Sequence, residues 1–300
     1  MLVRGFGQSV APFYCGRMNI KYSVAFRHAL IGCLCLALTP VVTAAQDGDL
    51  KKVGNETRLA SRLAGVGQVF SGTGASLSMA TGFLISSCHV LTAGHALAKV
   101  GEHVRLGAEI RFFMGDGRER SATVGPVRGT VVAASQNFTM QANPEGFDQE
   151  RIPNDWALIE LDRTIPEIEP FKLLYQGAPN AVEMAYTVAG YPFGQRGQGL
   201  YAQEHCAKWA SPHGGVELKD ILIADCAVRA GMSGGPILLD DGNQLIAVGI
   251  MVERFTIGQK IMTIGVPVSA FSEQISEVMR DSEVCAVGSP YVWPASLRAD

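Results

Sequence analysis

Downstream of residue 66 the apolar residues gather in short runs, broken by glycine, proline and polar turns, with little sustained helical period. TGFLIS (81–86), VLTAG (90–94), EIRFFM (109–114), GTVVAA (129–134), WALIELD (156–162), AYTVAG (185–190), DILIADCAV (220–228), PILLD (236–240) and QLIAVGIMV (244–252) are predicted strands. Asp241-Gly242-Asn243 separates the last two and predicts a hairpin, because these residues tolerate the positive φ that a tight turn needs. Many short strands at this spacing imply an all-β barrel or sandwich rather than a parallel sheet with crossover helices. One helix is expected near the end, with Ser269 as N-cap and Phe271, Ile275, Val278 and Met279 on the face that packs against the body.

The first 45 residues break this pattern. Lys21, Arg27 and His28 precede the apolar run ALIGCLCLAL, and PVVTAA then supplies small residues of the kind a signal peptidase reads. Residues 1–45 are therefore read as a signal peptide cleaved near Ala44 or Ala45, with Met18 as an alternative start, and the protein is expected to be secreted or periplasmic. Two other readings are a membrane anchor, for which the apolar run is short, and lipidation at Cys33, against which most of that run follows the cysteine. Removing a segment that holds Arg4, Arg17, Lys21 and Arg27 and no acid takes the formal net charge from −3 to −7. An acidic chain without basic clusters is a poor partner for nucleic acid or anionic membranes.

Four cysteines remain, Cys88, Cys206, Cys226 and Cys285, and an even count in an exported protein favours two disulfides, for which three connectivities are possible. The preferred pairing is Cys206 with Cys226, which closes a loop upstream of residue 233 and leaves Cys88 with Cys285. No metal is expected, since neither C-x-x-C nor H-x-x-x-H spacing occurs.

The stretch RAGMSGGP (229–236) places Ser233 among three glycines, Gly231, Gly234 and Gly235. A serine hydroxyl is a weak nucleophile, needing a base for its proton and an acid to orient that base. GMSGG also fits the nucleophile elbow of α/β-hydrolases, but there the histidine follows the serine, and the last histidine here is His213. The order His, Asp, Ser is met instead by His95 in HVLTAGH and Asp155 in NDWALIEL. Asp148 and Asp116 are alternative acids, and His89, His103, His205 and His213 are read as structural or surface residues.

TGFLIS with HVLTAGH, NDWALIEL and GMSGGP, in that order, resemble the chymotrypsin-like (trypsin-fold) serine peptidases, bacterial secreted trypsin-like and glutamyl-endopeptidase-like members above all. AGYP (189–192) is similar to a segment of those bacterial members. The resemblance covers about residues 66–280. It implies two antiparallel six-stranded β-barrels with the site in the cleft between them and a C-terminal helix. The first barrel (66–170) would carry His95 as general base and Asp155 as its orienting acid; the second (171–280) would carry Ser233 as nucleophile. The N–H groups of Gly231 and Ser233 would form the oxyanion hole. Residues 46–65 would be an N-terminal segment or short propeptide and 281–300 a tail.

Three positions depart from that family. Met232 stands where many members place an aspartate that pairs with a new N-terminus, so the protein is expected to be competent without one, although cleavage after Arg58 or Arg62 stays open. Ala227 occupies the position six residues before the serine where trypsin-like pockets hold an acid, and an insertion could bring Asp225 there. The pocket wall would come from GIMVER (249–254), with Met251 where glutamyl-specific relatives have histidine, and with Val252 and Arg254; Arg229 and Arg254 could favour acidic substrates or be surface charges. Ala227 and Val252 favour a small or apolar side chain. The expected function is a monomeric serine endopeptidase acting on protein or peptide through an acyl-enzyme, without cofactor. The alternatives are a catalytically silent binding protein on the same fold, or an esterase using the same residues.

Overall fold

A computed structural model describes residues 50–73, 77–114, 126–141, 148, 150–174, 185–193, 199–207, 221–257, 260–282, 284 and 291–292. All of these lie in one compact unit, Thr43–Asp300. Residues 1–45 with Met18 and Cys33, and also Asp116, His213 and Cys285, fall outside the described residues.

The first half is a closed six-stranded antiparallel barrel. Its strands are β2 (Val66–Ser71), β3 (Ser78–Leu84), β4 (His89–Thr92), β5 (Glu109–Met114), β6 (Val127–Ala134) and β7 (Ala157–Leu161), in the order β2-β3-β4-β7-β6-β5. Strands β3, β4 and β7 are buried on both faces, which is why their runs read as nearly continuously apolar, whereas β5 and β6 alternate buried residues with exposed ones such as Glu109, Arg111 and Arg128. Leu84, Val90, Ala157, Ile159 and Leu161 point into the barrel with Val69, Ile110 and Phe112. Their immediate neighbours Phe83, Leu91 and Leu158 point outward, into a second core shared with Ile250, Val266 and Phe271 of the other half. The period of two thus divides each strand between the barrel interior and the junction of the halves.

The second half is a nine-stranded sheet. Six strands form its body, β9 (Ala185–Gly190), β10 (Tyr201–Ala207), β11 (Leu222–Ala224), β12 (Pro236–Asp240), β13 (Leu245–Ile257) and β14 (Lys260–Pro267), in the order β10-β9-β12-β13-β14-β11. Three short strands are added: β1 (Lys51–Lys52) on β10, β8 (Lys172–Leu174) on β13, and β15 (Tyr291–Val292) on β8. Among the described residues β10 and β11, at opposite ends of this row, do not pair with each other, and a disulfide ties them instead. Cys206 in β10 is bonded to Cys226 just after β11, with Cα atoms 5.3 Å apart, and the Asp225 N–H donates to the Ala207 carbonyl at 3.1 Å. The expected Cys206–Cys226 pairing is therefore present. Cys88 is also disulfide-bonded, and Cys285 lies outside the described residues.

The hairpin expected at 241–243 joins β12 to β13, with Gly242 at φ +90° and the Asp241 carboxylate accepting from the N–H groups of Asn243 and Gln244. The helix is α2 (Ser272–Arg280), whose N-cap is Phe271. Ser269 lies instead in a 3-10 turn, Val268–Ala270, because Pro267 ends β14 and the chain tightens before the helix opens. Buried Ile275 and Met279 face the junction core, and the Phe271 ring packs on Trp156 at 5.5 Å.

Residues 50–65 are built into the fold. Leu50, Val53 and Leu63 are buried, Thr57 caps the short helix α1 (Arg58–Arg62), and Arg62 makes two bonds of 2.7 Å to Asp240. This segment runs from the edge of the second sheet into the first barrel, and cleavage after Arg58 or Arg62 would cut within α1 or at its end.

Candidate active site

His95 sits in a 3-10 turn, Gly94–Ala96, directly after β4. Asp155 ends another, Ile152–Asn154, directly before β7, which pairs with β4. Adjacent strands thus deliver the two residues to one end of the barrel. The Asp155 carboxylate is 1% exposed and grips His95 twice: Oδ2 lies 2.7 Å from Nδ1, and Oδ1 accepts the His95 backbone N–H at 2.8 Å. Gly94 leaves room for that contact, since a Cβ there would crowd Asp155 Oδ1 and the Trp156 N and O atoms at 3.3 Å. Burial alone would lower the His95 pKa. The charge and hydrogen bond of Asp155 outweigh it and hold the imidazole above its ordinary value, with Nδ1 the nitrogen that faces the carboxylate. Asp148, the alternative acid among the described residues, accepts instead from the N–H groups of Glu150 and Arg151.

Ser233 stands on the turn that leads into β12. Thr81 of β3 fastens this turn to the first barrel. Its N–H donates to the Ser233 carbonyl at 2.9 Å, its hydroxyl donates to the Gly231 carbonyl at 2.9 Å, and that hydroxyl accepts from Tyr191 N–H at 2.9 Å. Gly234, at φ +85°, comes so near that a Cβ would lie 2.3 Å from Thr92 Oγ1 and 2.8 Å from Ala93 N, two residues before His95. The serine turn therefore docks against the chain that carries the histidine. Among the described residues no hydrogen bond joins Ser233 Oγ to His95, and such bonds in unliganded enzymes are often long and tighten with substrate.

Gly231 has φ +94°, and a Cβ would meet Phe193 N and Tyr191 O at 2.7 Å. Only glycine fits this turn, in which, among the described residues, no acceptor takes the Gly231 or Ser233 N–H. Met232 is fully buried in the core of the second half beside Met251. The position directly before Ser233 is thus filled by an apolar side chain that asks for no charged partner.

Beside Ser233 a cavity of about 210 Å³ is lined by Val228, Ala230, Met232, Met251, Val252 and Glu253, with Arg229 and Arg254 also contributing. Met251, Val252 and Arg254 are therefore brought to the serine. A bulge opposite β14 between Met251 and Glu253 turns the strand there. Ala227, expected in the substrate pocket, does not line this cavity: its N–H donates to Gln203 at 2.6 Å, and it lines a separate cavity of about 910 Å³ with Lys51, His205 and Lys260. Asp225 does not enter the pocket; its carboxylate is held by Ala207 N–H and by Lys260 at 2.8 Å.

Cys88, His89 and Glu160 form a group with metal-binding atoms in reach of one another, but the Cys88 sulfur is committed to a disulfide. The sequence reading gave no role to Thr81, Phe193, Arg151 or Glu253. Thr81 was hidden inside an apolar strand run, and nothing local marks a threonine whose partners are some 110 to 150 residues away.

No curated protein matches the chain by sequence. Among solved structures, the protease Anisep from Arthrobacter nicotinovorans superposes with a TM-score of 0.53 at 16% identity, covering 74% of this chain and 98% of that one. A Glu endopeptidase gives 0.54 at 17% identity, covering 79% and 100%. A mutant of human heparin binding protein gives 0.56 at 15% identity, covering 79% and 99%, so chains named for binding share this fold and activity must be argued from the site. The trypsin-like peptidase domain family matches residues 80–248, a span that holds His95, Asp155 and Ser233 and exceeds half of the chain, and the protein belongs to that family.

Proposed function

We propose that the protein is an exported serine endopeptidase that cleaves peptide bonds through an acyl-enzyme. The observation that carries this reading is the double grip of Asp155 on His95 at the edge of the turn that presents Ser233. In the proposed reaction His95 Nε2 takes the Ser233 hydroxyl proton as Oγ attacks the substrate carbonyl carbon. The oxyanion that forms accepts from the N–H groups of Gly231 and Ser233, fixed donors worth roughly 3 to 4 kcal/mol each in such sites. Asp155 holds the imidazolium. The protonated histidine then gives its proton to the leaving amine, the C–N bond breaks, and the acyl group remains on Ser233. Water, deprotonated by His95, attacks the ester and releases the acid and the free serine.

The 210 Å³ cavity supports a small or medium apolar residue before the scissile bond, because its wall is built from Val228, Ala230, Met232, Met251 and Val252. The buried Cys206–Cys226 disulfide supports an oxidising, extracellular or periplasmic compartment.

The test is a panel of peptide substrates that vary only in the residue before the scissile bond, paired with esters of the same side chains. Cleavage of alanine, valine and methionine peptides above glutamate, lysine and arginine ones is expected. Ester turnover without peptide turnover would replace the reading with an esterase, and neither, in folded protein, with a binding protein. Since His95 must be neutral to act, and its pKa is raised, kcat/KM should fall off on the acid side at a pH above the ordinary histidine value of about 6.5.

A further inference from the structure

Arg151 opens the 3-10 turn that ends at Asp155, and its side chain is only 10% exposed. One guanidinium nitrogen, Nη1, lies 4.0 Å from Asp155 Oδ2, the oxygen that faces His95; the other, Nη2, lies 2.8 Å from Glu253 Oε2 on β13. Arg151 belongs to the first barrel and Glu253 to the second half, beside Val252 in the wall of the Ser233 cavity. Strand β14, which pairs with Glu253 through Ile264, also packs against the Ile152–Asn154 turn. A guanidinium placed this deep costs free energy unless its charge is matched, and among the described residues its Nε has no hydrogen-bond partner. Holding it between two carboxylates of different halves matches that charge and fixes the distance between the halves.

We infer that Arg151 and Glu253 are a positioning pair that docks the histidine-bearing barrel onto the serine-bearing half and sets the basicity of His95 through Asp155. The inference rests on the reading of His95 as the general base. The charges acting here are few. Asp155, His95 and Arg151 come from the first barrel, and Glu253 comes from β13. Asp148 and Glu150 lie on Arg151's own turn, with one Asp148 oxygen committed to the Glu150 and Arg151 N–H groups. Arg254 is exposed, and Thr263 and Ile264 on β14 carry no charge. Arg151 draws on the negative charge that favours imidazolium, and Glu253 offsets Arg151. The two side chains therefore push His95 in opposite directions, the arginine downward and the glutamate upward.

The experiment is an NMR titration of His95 in the mature chain, run beside the pH profile of kcat/KM on a peptide substrate. It uses the wild type, Arg151→Met, Arg151→Lys and Glu253→Gln. In Arg151→Met the His95 pKa and the acid limb should both rise by about half a unit or more, and the plateau of kcat should fall roughly tenfold with KM little changed. In Glu253→Gln both should move down, and Arg151→Lys should stay near the wild type. Glu253→Gln is nearly isosteric and decides the matter alone if Arg151→Met does not fold. Activity loss with an unmoved His95 titration, or shifts of the same sign in both charge-removing variants, would overturn the inference. Opposite shifts in the two variants, with a wild type that neither cleaves peptides nor reacts with a fluorophosphonate, would keep the electrostatic pair and discard the peptidase reading.

Discussion

The two halves reach the cleft by different means. The first barrel is closed by its own hydrogen-bond ladders, and the residues it contributes, His95 and Asp155, are held by short bonds to one another on paired strands. The second half, among the described residues, does not pair β10 with β11 but ties them with a disulfide, and it presents Ser233 on a turn shaped by glycines at positive φ and anchored by Thr81 from the opposite half. The proposed base is therefore assembled within one half, whereas the proposed nucleophile depends on a covalent link, on glycine and on its neighbour.

Breaking the self-contained half should have the largest effect on rate. Asp155→Asn keeps the shape of the grip but removes the charge and the acceptor for Nδ1–H, and should lower kcat by about four orders of magnitude with stability little changed, as read by steady-state kinetics and thermal melting. On the other side, Cys206→Ser with Cys226→Ser removes a link between residues 20 apart in sequence. Denaturant unfolding should show a loss of about 3 kcal/mol. Thr81→Val tests the tie between the halves. It leaves the Tyr191 N–H and the Gly231 carbonyl without this partner in a buried site, at a cost of about 1–3 kcal/mol, and should slow acylation more than it weakens substrate binding, as read by kcat and KM separately. The smallest effect belongs to Arg62→Ala. Its partner Asp240 is 40% exposed, so removing the pair should cost less than about 1 kcal/mol and leave kcat unchanged.

The same contrast explains what could be read from the sequence. Most strands of the first barrel announce themselves through apolar runs, and the proposed triad is suggested by its order along the chain. Strand β2 (VGQVFS) is diluted by glycine, glutamine and serine, and β10 (YAQEHCA) carries Glu204 and His205, with His205 at φ 60° where the pairing with β9 shifts register. Neither pattern rises above a polar loop. The hairpin at 241–243 was legible because its chemistry is local. Thr81, Arg151 and Glu253 were not, because their meaning arises only when residues far apart in the chain meet across the cleft.

The central claim is that the two halves together activate Ser233. It is tested most directly by intact-mass analysis of the chain from residue 46 after exposure to a fluorophosphonate, beside Ser233→Ala and His95→Ala. The account predicts one adduct on the wild type, none on Ser233→Ala, and labelling of His95→Ala slowed beyond detection. A folded wild type that stays unlabelled, or an adduct that persists in Ser233→Ala, would contradict it.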